Sequence, residues 1–197
     1  MASKRRDKSI KAAEIFKAAS KVFVRRGLDG ATIQEIAKEA GVGRATVYYH
    51  FPSKKVILKE ILISNLEKFF KDFLNYSKKI KKEEDIPDYL VRYFINFYKK
   101  DPLFAQLYFL SFASSRTFWI KDIIKDFLDV HNKWLEIIEK ELKKKFAISV
   151  HSLALPVTFA HGLGLLYLSS KNFDLINNVG NAFLSIQKKA KIKPKKK

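Results

Sequence analysis

Two short helices joined by a glycine turn are the feature of this sequence that most constrains its fold. Thr32 and Glu35 have the spacing of a capping box, in which the hydroxyl and the carboxylate satisfy free amides at a helix start. Gly41 ends this helix after roughly two turns, since glycine is common just past a helix C-terminus. A second short helix is predicted from Arg44 to His50. This order is the layout of a helix-turn-helix.

The second short helix carries polar or flat side chains where a core helix would be apolar. Val47 and Phe51 are expected to point inward, one turn apart. The other directions are taken by Arg44, Ala45, Thr46, Tyr48, Tyr49 and His50. If these residues only packed a helical bundle, the glycine turn, the polar face and the local basic charge would have no common explanation.

The rest of the chain also has the pattern of an all-α protein. Only 7 Gly and 5 Pro are present, and strand-like alternation of apolar and polar residues is nearly absent. Helices are predicted from about Asp7 to Arg26, where Gly27 ends the first, and onward from a Ser53 cap. Later helices are predicted after Asp85 and Asp101, over Thr117–Lys145, and near residues 151–170 and 174–189.

Basic charge is concentrated at the two ends of the chain. The total is 39 Lys and Arg against 20 Asp and Glu, a net +19. Residues 1–60 hold +8, residues 61–187 hold +4 and the last ten residues hold +7, whereas 22 of 27 aromatic residues lie beyond residue 60. A basic first part favours a nucleic-acid partner, and the aromatic remainder suggests a separate task. A nonspecific basic DNA-binding or architectural protein is the alternative that this charge leaves open.

Several other classes of protein are not expected. There is no cysteine, and charges interrupt every apolar stretch before the ~18 residues of a membrane span, so we expect a cytoplasmic protein without a membrane partner. We find no nucleophile–base pair, phosphate loop or metal-ligand spacing. The sequence therefore predicts a protein that is not an enzyme and has no metal site or cofactor.

Several positions within residues 10–60 share a recognisable order and spacing: Gly27, Thr32, Ile36, Ala37, Ala40, Gly41, Val42, Tyr48, Phe51, Lys54 and Leu58. In this pattern the chain resembles the DNA-binding region of TetR-type transcriptional regulators. Gly43 and Lys55 depart from the family, which commonly has Ser or Thr and an acid there. Beyond residue 75 the resemblance rests on length and helical layout.

The resemblance implies a role for each matching residue of the helix-turn-helix. Arg44, Ala45, Thr46 and Tyr49 would face base edges and nearby sugar and methyl groups. Tyr48, His50 and Lys54 would hold phosphates, while Thr32 and the start of its helix, with Gly43 in the turn, would approach the DNA backbone. Arg44 suits bidentate contact with guanine O6 and N7, and such a pair is worth roughly 1 to 3 kcal/mol.

The resemblance also implies an all-α homodimer of about nine helices that binds a palindromic operator in double-stranded DNA. We predict a three-helix helix-turn-helix domain over residues 1–52, a helical ligand-binding and dimerisation domain over 53–190, and a basic tail over 191–197. A repressor released by a small apolar or amphipathic effector, such as a fatty acyl-CoA, is expected. Plain core packing is the competing explanation for the candidate pocket residues, which are Tyr89, Tyr93, Phe97, Tyr108, Phe112, Trp119, Phe127, His131 and Trp134.

Overall fold

The computed structural model describes residues 2–114, 118–146, 158–159, 162–166, 169–170 and 172–192; side chains 2–9, 112, 118, 173 and 187–192 are outside this description. Every regular element in these ranges is helical, which confirms the predicted all-α fold. The α-helices are α1 Ala2–Gly30, α2 Ile33–Ala40, α3 Arg44–His50, α4 Lys54–Ser77, α5 Ile86–Lys100, α6 Pro102–Ala113, α7 Lys121–Lys143 and α8 Phe173–Ile192.

Two short 3₁₀ turns, Glu83–Asp85 and Phe118–Ile120, precede α5 and α7, and residues 162–166 are also helical. The helix expected near residues 151–170 lies largely outside the described residues, as does most of the predicted basic tail. Within the described ranges, no helix combines the length and the apolar run that crossing a bilayer requires.

The first helix differs from its prediction at the C-terminal end. It was expected to stop at Gly27, but helical geometry resumes over residues 28–30. Gly27 itself has φ 74° and ψ 168°, outside the helical region and in a part of backbone space that only glycine occupies at low cost. The glycine thus breaks α1 as expected, and one further turn follows the break.

The start of α5 agrees with its prediction, because Asp85 is the N-cap residue, although it also belongs to the preceding 3₁₀ turn and its side chain makes no capping hydrogen bond. The long helix expected over 117–145 is instead a 3₁₀ turn followed by α7. This difference arises because a residue pattern places a helix well and its first turn poorly.

The chain divides into two compact units, residues 1–68 with 103–132 and residues 69–102 with 133–197. The first contains the helix-turn-helix, and its core combines apolar side chains of α1 to α4 with those of α6 and α7. Its buried members include Ile15, Val22, Phe23, Ile36, Val47, Ile57, Leu58, Ile61, Leu107, Ile123 and Phe127. The predicted boundaries at residues 52 and 190 stay a prediction.

In the second unit, α5 packs on α8 through apolar side chains. Val91 and Ile95 meet Ile176 and Leu184, together with Leu163 from the helical residues 162–166. Nearby, the rings of Phe159 and Phe183 stack with centroids 3.8 Å apart. Burial of these side chains from water supplies the main driving force for this packing.

Candidate nucleic-acid interface

The turn between α2 and α3 is held by backbone hydrogen bonds that require a glycine. Gly41 has φ 64° and ψ 31°, the left-handed conformation. Its amide donates to the carbonyl of Lys38 at 3.2 Å, and the amide of Val42 donates to the carbonyl of Ala37 at 3.0 Å. This pair is the Schellman arrangement that ends helices at glycine, and it sets the direction in which α3 leaves α2.

Two inward side chains fix α3 against the rest of the unit. Val47 is fully buried and Phe51 is 3% exposed, as their spacing predicts. The Phe51 ring lies 5.0 Å from that of Phe16 on α1. Gly43 is the N-cap of α3 and offers no side-chain capping bond, so this helix is held mainly by packing.

Packing on one side leaves the opposite side of α3 open to solvent. Tyr49 is 72% exposed and Tyr48 is 47% exposed, which is unusual for large aromatic residues. Arg44 and Ala45 are exposed as well, while Thr46 and His50 are partly exposed. Within the described part of the chain, the Arg44 guanidinium has no hydrogen-bonding or ionic partner.

The start of α2 is capped, although not in the expected way. Thr32 Oγ1 accepts from the amide of Glu35 at 3.2 Å, which is half of a capping box. The Glu35 carboxylate does not return to the backbone: it accepts from the Thr32 hydroxyl at 3.1 Å and from Arg26 Nε at 2.9 Å. Desolvation opposes ionisation of Glu35, but these hydrogen bonds outweigh it and lower its pKa.

Two acidic residues of α2 neutralise cations of α1. Glu39 accepts from Lys21 at 3.1 Å and from Arg25 at 3.2 Å, and these hydrogen bonds lower the pKa of its carboxyl. Arg26 is paired with Glu35. The basic charge on α1 is therefore partly neutralised within the protein, whereas Arg44 on α3 takes part in no such pair among the described residues.

The ammonium group of Lys54, a predicted phosphate contact, is surrounded by groups of the protein itself. Its ammonium donates to three main-chain carbonyl oxygens, those of Leu28, Asp29 and Ala31, at 3.0, 2.8 and 2.9 Å. The same nitrogen lies 5.5 Å from the ring centre of Trp119. Because a lysine ammonium has three protons, these bonds use all of its donors.

Comparison with known proteins agrees with this geometry. Residues 15–61 match the model of the bacterial regulatory proteins of the tetR family. Over these residues the chain is similar to the tetR family, and we call them the TetR-family region. The match covers the second half of α1, all of α2 and α3, and the start of α4, the same part of the chain on which the sequence resemblance rests.

Relatives of known sequence match over this TetR-family region. The transcriptional regulator SrpR of Pseudomonas putida is 42% identical over 59 residues, which is 30% of this chain and 28% of SrpR. The repressor KstR2 of Rhodococcus jostii is 36% identical over 63 residues, 32% of this chain and 31% of KstR2. The chain thus matches less than a third of the length of these two relatives.

Solved structures extend the likeness from the TetR-family region to the fold as a whole. The regulator FadR of Bacillus subtilis, in complex with stearoyl-CoA, has a TM-score of 0.71 and 19% identity, over 89% of this chain and 96% of that one. A regulator from Saccharomonospora viridis in complex with choline has a TM-score of 0.68 and 24% identity, over 90% and 96%. At these identities the likeness concerns the fold alone.

The nine predicted pocket residues fall into both compact units. In the second unit, the Tyr93 hydroxyl donates to the carbonyl of Phe69 at 2.8 Å, and the ring of Phe97 lies 4.9 Å from that of Phe69. Tyr89 donates to the carbonyl of Lys79. Trp134 stacks on Phe70 with ring centres 5.8 Å apart. These contacts bring Tyr93 and Phe97 together around Phe69, while Trp134 packs on Phe70, the next residue of the chain.

The other predicted pocket residues are in the first unit. Tyr108 and Phe127 have ring centres 5.6 Å apart, and the His131 ring stacks on Phe127 at 6.4 Å. Burial raises the pKa of Tyr108 to about 12, so its hydroxyl keeps its proton near neutral pH. Trp119 donates from Nε1 to the Asp29 carboxylate at 2.8 Å. Phe112 is in α6, but its side chain is outside the described residues.

Two cavities in the second unit are lined by residues that the sequence did not single out. One of about 270 Å³ lies between α5 and α8, lined by Arg92, Ile95, Asn96, Asn177, Gly180, Asn181 and Leu184. The other, of about 400 Å³, lies between α4 and α7 and is lined by Lys71, Leu74, Asn75, Ser77, Lys78, Ile137, Glu141, Leu142 and Lys145. We call the latter the lysine cavity. Polar residues scattered over two helices give no periodic signal by which a sequence could reveal such sites.

Proposed function

We propose that this protein is a ligand-responsive transcriptional repressor that binds a palindromic operator through α3. The observation that carries the proposal is the solvent-exposed polar face of α3 within a TetR-family helix-turn-helix. A helix presented in this way fits the major groove of DNA, which admits one α-helix and displays a distinct pattern of hydrogen-bond donors and acceptors for each base pair.

The proposed division of labour on α3 follows from side-chain chemistry. The unpartnered guanidinium of Arg44 is suited to guanine, and Ala45, Thr46 and Tyr49 lie on or beside the same exposed face. Tyr48 and His50 are proposed to hold phosphates. Thr32 caps α2, whose first amides would meet the DNA backbone favourably because a helix N-terminus attracts anions.

A palindromic operator calls for two copies of the protein. On α8, the side opposite the buried Ile176 and Leu184 carries exposed apolar residues: Leu175 is 37% exposed and Ile186 is 66% exposed. Ala182 is exposed between them. An apolar stripe left in water is unfavourable, so we propose that the same stripe of a second copy covers it.

The effector is proposed to be an anionic amphipathic molecule, such as a fatty acyl-CoA. The two structural relatives bind stearoyl-CoA and choline, which have opposite charge. The lysine cavity has three ammonium groups and one carboxylate beside three apolar side chains. Such a lining, in a chain of net charge +19, attracts an anion and repels a quaternary ammonium ion.

Release of DNA would follow from a population shift. The helix α4 begins next to the helix-turn-helix and contributes its later residues, from Phe69 on, to the second compact unit. An effector that binds better to one position of α4 than to another shifts the protein toward that position. In a dimer, the two copies of α3 must be one DNA turn, ~34 Å, apart to enter successive major grooves. If the favoured position of α4 changes this distance, affinity for the operator falls.

The experiment begins by selecting duplexes from a random pool with the whole protein. The selected duplex is then titrated with stearoyl-CoA, with coenzyme A and stearate as the two halves of that molecule, and with choline as the cationic comparator. The variant Lys78→Met removes one ammonium group from the lysine cavity, and Lys82→Met, on an exposed lysine outside its lining, is the matched control. We expect stearoyl-CoA to release the duplex, choline to have no effect, and Lys78→Met alone to weaken release.

The outcomes separate the competing proposals. Selection without any enriched sequence, together with loss of all binding to excess random duplex, would favour the nonspecific basic protein. Sequence-specific binding that none of the four small molecules changes would leave the operator proposal standing and remove the acyl-CoA proposal. Release by choline alone would contradict the argument from cavity charge.

A further inference from the structure

We propose that Lys54 is a positioning residue: its ammonium group joins the start of α4 to the end of α1, on either side of the helix-turn-helix, instead of holding a DNA phosphate. The inference rests on the proposed DNA-binding function, because what Lys54 positions is the recognition helix. It concerns the three carbonyl contacts of Lys54 and the nearby Trp119, all within the first compact unit.

The three acceptors lie in a single stretch of backbone, between the break at Gly27 and the N-cap of α2. Lys54 reaches the carbonyls of Leu28, Asp29 and Ala31 at 2.8 to 3.0 Å, the last of them across 23 residues of sequence. Those 23 residues contain both α2 and α3. Lys54 therefore joins the two ends of the segment that forms the helix-turn-helix.

The acceptors need a donor of this kind. Leu28 and Asp29 lie in the last turn of α1, where helical carbonyls have no backbone amide in a following turn, and Ala31 comes directly after the helix. Leu28 and Ala31 are 2% and 1% exposed, so water has little access to this backbone. A cation at a helix C-terminus is also attracted to the negative end of the helix dipole.

Trp119, in the 3₁₀ turn before α7, also contacts the place where Lys54 meets the end of α1, which we call the junction. Its indole nitrogen donates to the Asp29 carboxylate at 2.8 Å, and its ring is 5.5 Å from the Lys54 ammonium. Asp29 is thus held twice, through its main-chain oxygen by Lys54 and through its side chain by Trp119. This arrangement restricts the backbone immediately before Thr32, where α2 begins.

A phosphate would have to compete with these contacts. To reach one, the Lys54 ammonium would release three carbonyls, two of which belong to the buried residues Leu28 and Ala31, and a buried acceptor left without a donor is costly. Arg44, whose guanidinium is without a partner in the described residues, has no such cost. The two cations are therefore expected to respond differently when each is removed.

The test compares Lys54→Met with Arg44→Met in the whole protein, below the unfolding temperature of each. Methionine keeps the length of the lysine side chain and removes its charge. Two quantities are measured: amide hydrogen exchange over residues 28–36 without DNA, and the affinity for a duplex selected by the parent protein, as a function of salt concentration.

For Lys54→Met we expect faster exchange over residues 28–36 and a loss of affinity of about tenfold at each salt concentration. The slope of log affinity against log salt should equal that of the parent, because the Lys54 ammonium neutralises no phosphate. For Arg44→Met the exchange should be unchanged, and affinity for the selected duplex should fall because the proposed contact with guanine is lost.

A shallower slope for Lys54→Met with unchanged exchange would overturn the proposal and make Lys54 a phosphate contact. Unchanged affinity and exchange would overturn it as well. If Lys54→Met does not fold, Trp119→Phe keeps an aromatic ring and removes the bond to Asp29; it should speed the same exchange and lower affinity without a change of slope, and no effect would count against the junction. If the parent protein binds no duplex, the proposed function fails, and the exchange measurement still tests the junction.

Discussion

Single alanine substitutions at Gly27, Gly41 and Gly43 would test the helix-turn-helix through backbone conformation alone. At Gly27 and Gly41 a new Cβ meets no atom within 4 Å, and at Gly43 the nearest atom, Thr46 Oγ1, is at an ordinary contact distance of 4.0 Å. Any difference in stability among the three variants therefore reflects φ and ψ, and not steric overlap.

The expected costs follow from the three conformations. The left-handed conformation of Gly41 costs an L-residue roughly 1 to 2 kcal/mol, and alanine regains about 0.4 to 1 kcal/mol by restricting the unfolded chain. A net destabilisation of about 1 kcal/mol results. Gly27, with ψ 168°, lies where strain reaches roughly 3 kcal/mol, so its net destabilisation is about 2 kcal/mol. Gly43 has φ −73° and ψ 152°, which any residue adopts. There the gain from restricting the unfolded chain is offset because alanine is a poorer N-cap residue than glycine, so the change stays within about 0.5 kcal/mol of zero.

Urea unfolding followed by circular dichroism, at one protein concentration, gives the three values from the shifts in midpoint. Gly43→Ser provides a further control, because serine can cap α3 and should stabilise the protein by a few tenths of a kcal/mol. Equal destabilisation at all three glycines would refute the reasoning. So would a Gly41→Ala variant as stable as the parent, since the Schellman turn would then not need its left-handed residue.

Three further predictions concern charge, self-association and DNA binding. Glu39→Gln should lower stability at neutral pH. Since the pKa of Glu39 is lowered in the folded protein, its contribution is lost as pH falls through that pKa, so the difference between variant and parent in urea unfolding should shrink as the pH is lowered through the acidic range. Ile186→Glu, at an exposed apolar position of α8, should shift the protein toward monomer in analytical ultracentrifugation, and an unchanged mass would count against the proposed dimer face. In binding assays with single-base operator variants, Tyr48→Phe should weaken binding to all sequences alike, whereas Arg44→Ala should relax specificity at one base pair; equal effects of the two substitutions would contradict that division.

Local signals in the sequence predicted the helix-turn-helix well. The bounds of α3, the Thr32 hydroxyl as cap of α2 and the glycine end at Gly41 all agree with the structure. The predicted Ser53 cap is also present, since its hydroxyl accepts from the amide of Val56 at 3.3 Å. Each of these features depends on residues within a few positions of one another, so a short stretch of sequence contains the information that determines it.

Contacts between distant residues were not predictable in this way. Periodicity indicates that Trp119 faces inward, but not that its partner is Asp29, 90 residues earlier. The family pattern suggests a phosphate for Lys54, while the structure gives it three carbonyls at the end of α1. The proposed pocket residues share an aromatic character, yet contacts divide them between two units. Which inward side chains meet is a property of packing, which a pattern along one helix does not contain.

The central claim, that two copies of α3 bind one specific operator, is tested most directly by selection from random duplex followed by hydroxyl-radical footprinting. The account predicts one enriched sequence with two-fold symmetry, protected in two patches about one helical turn, ~34 Å, apart, and retained against excess random duplex. Enrichment of no sequence, with protection spread evenly and lost to random duplex, would contradict it.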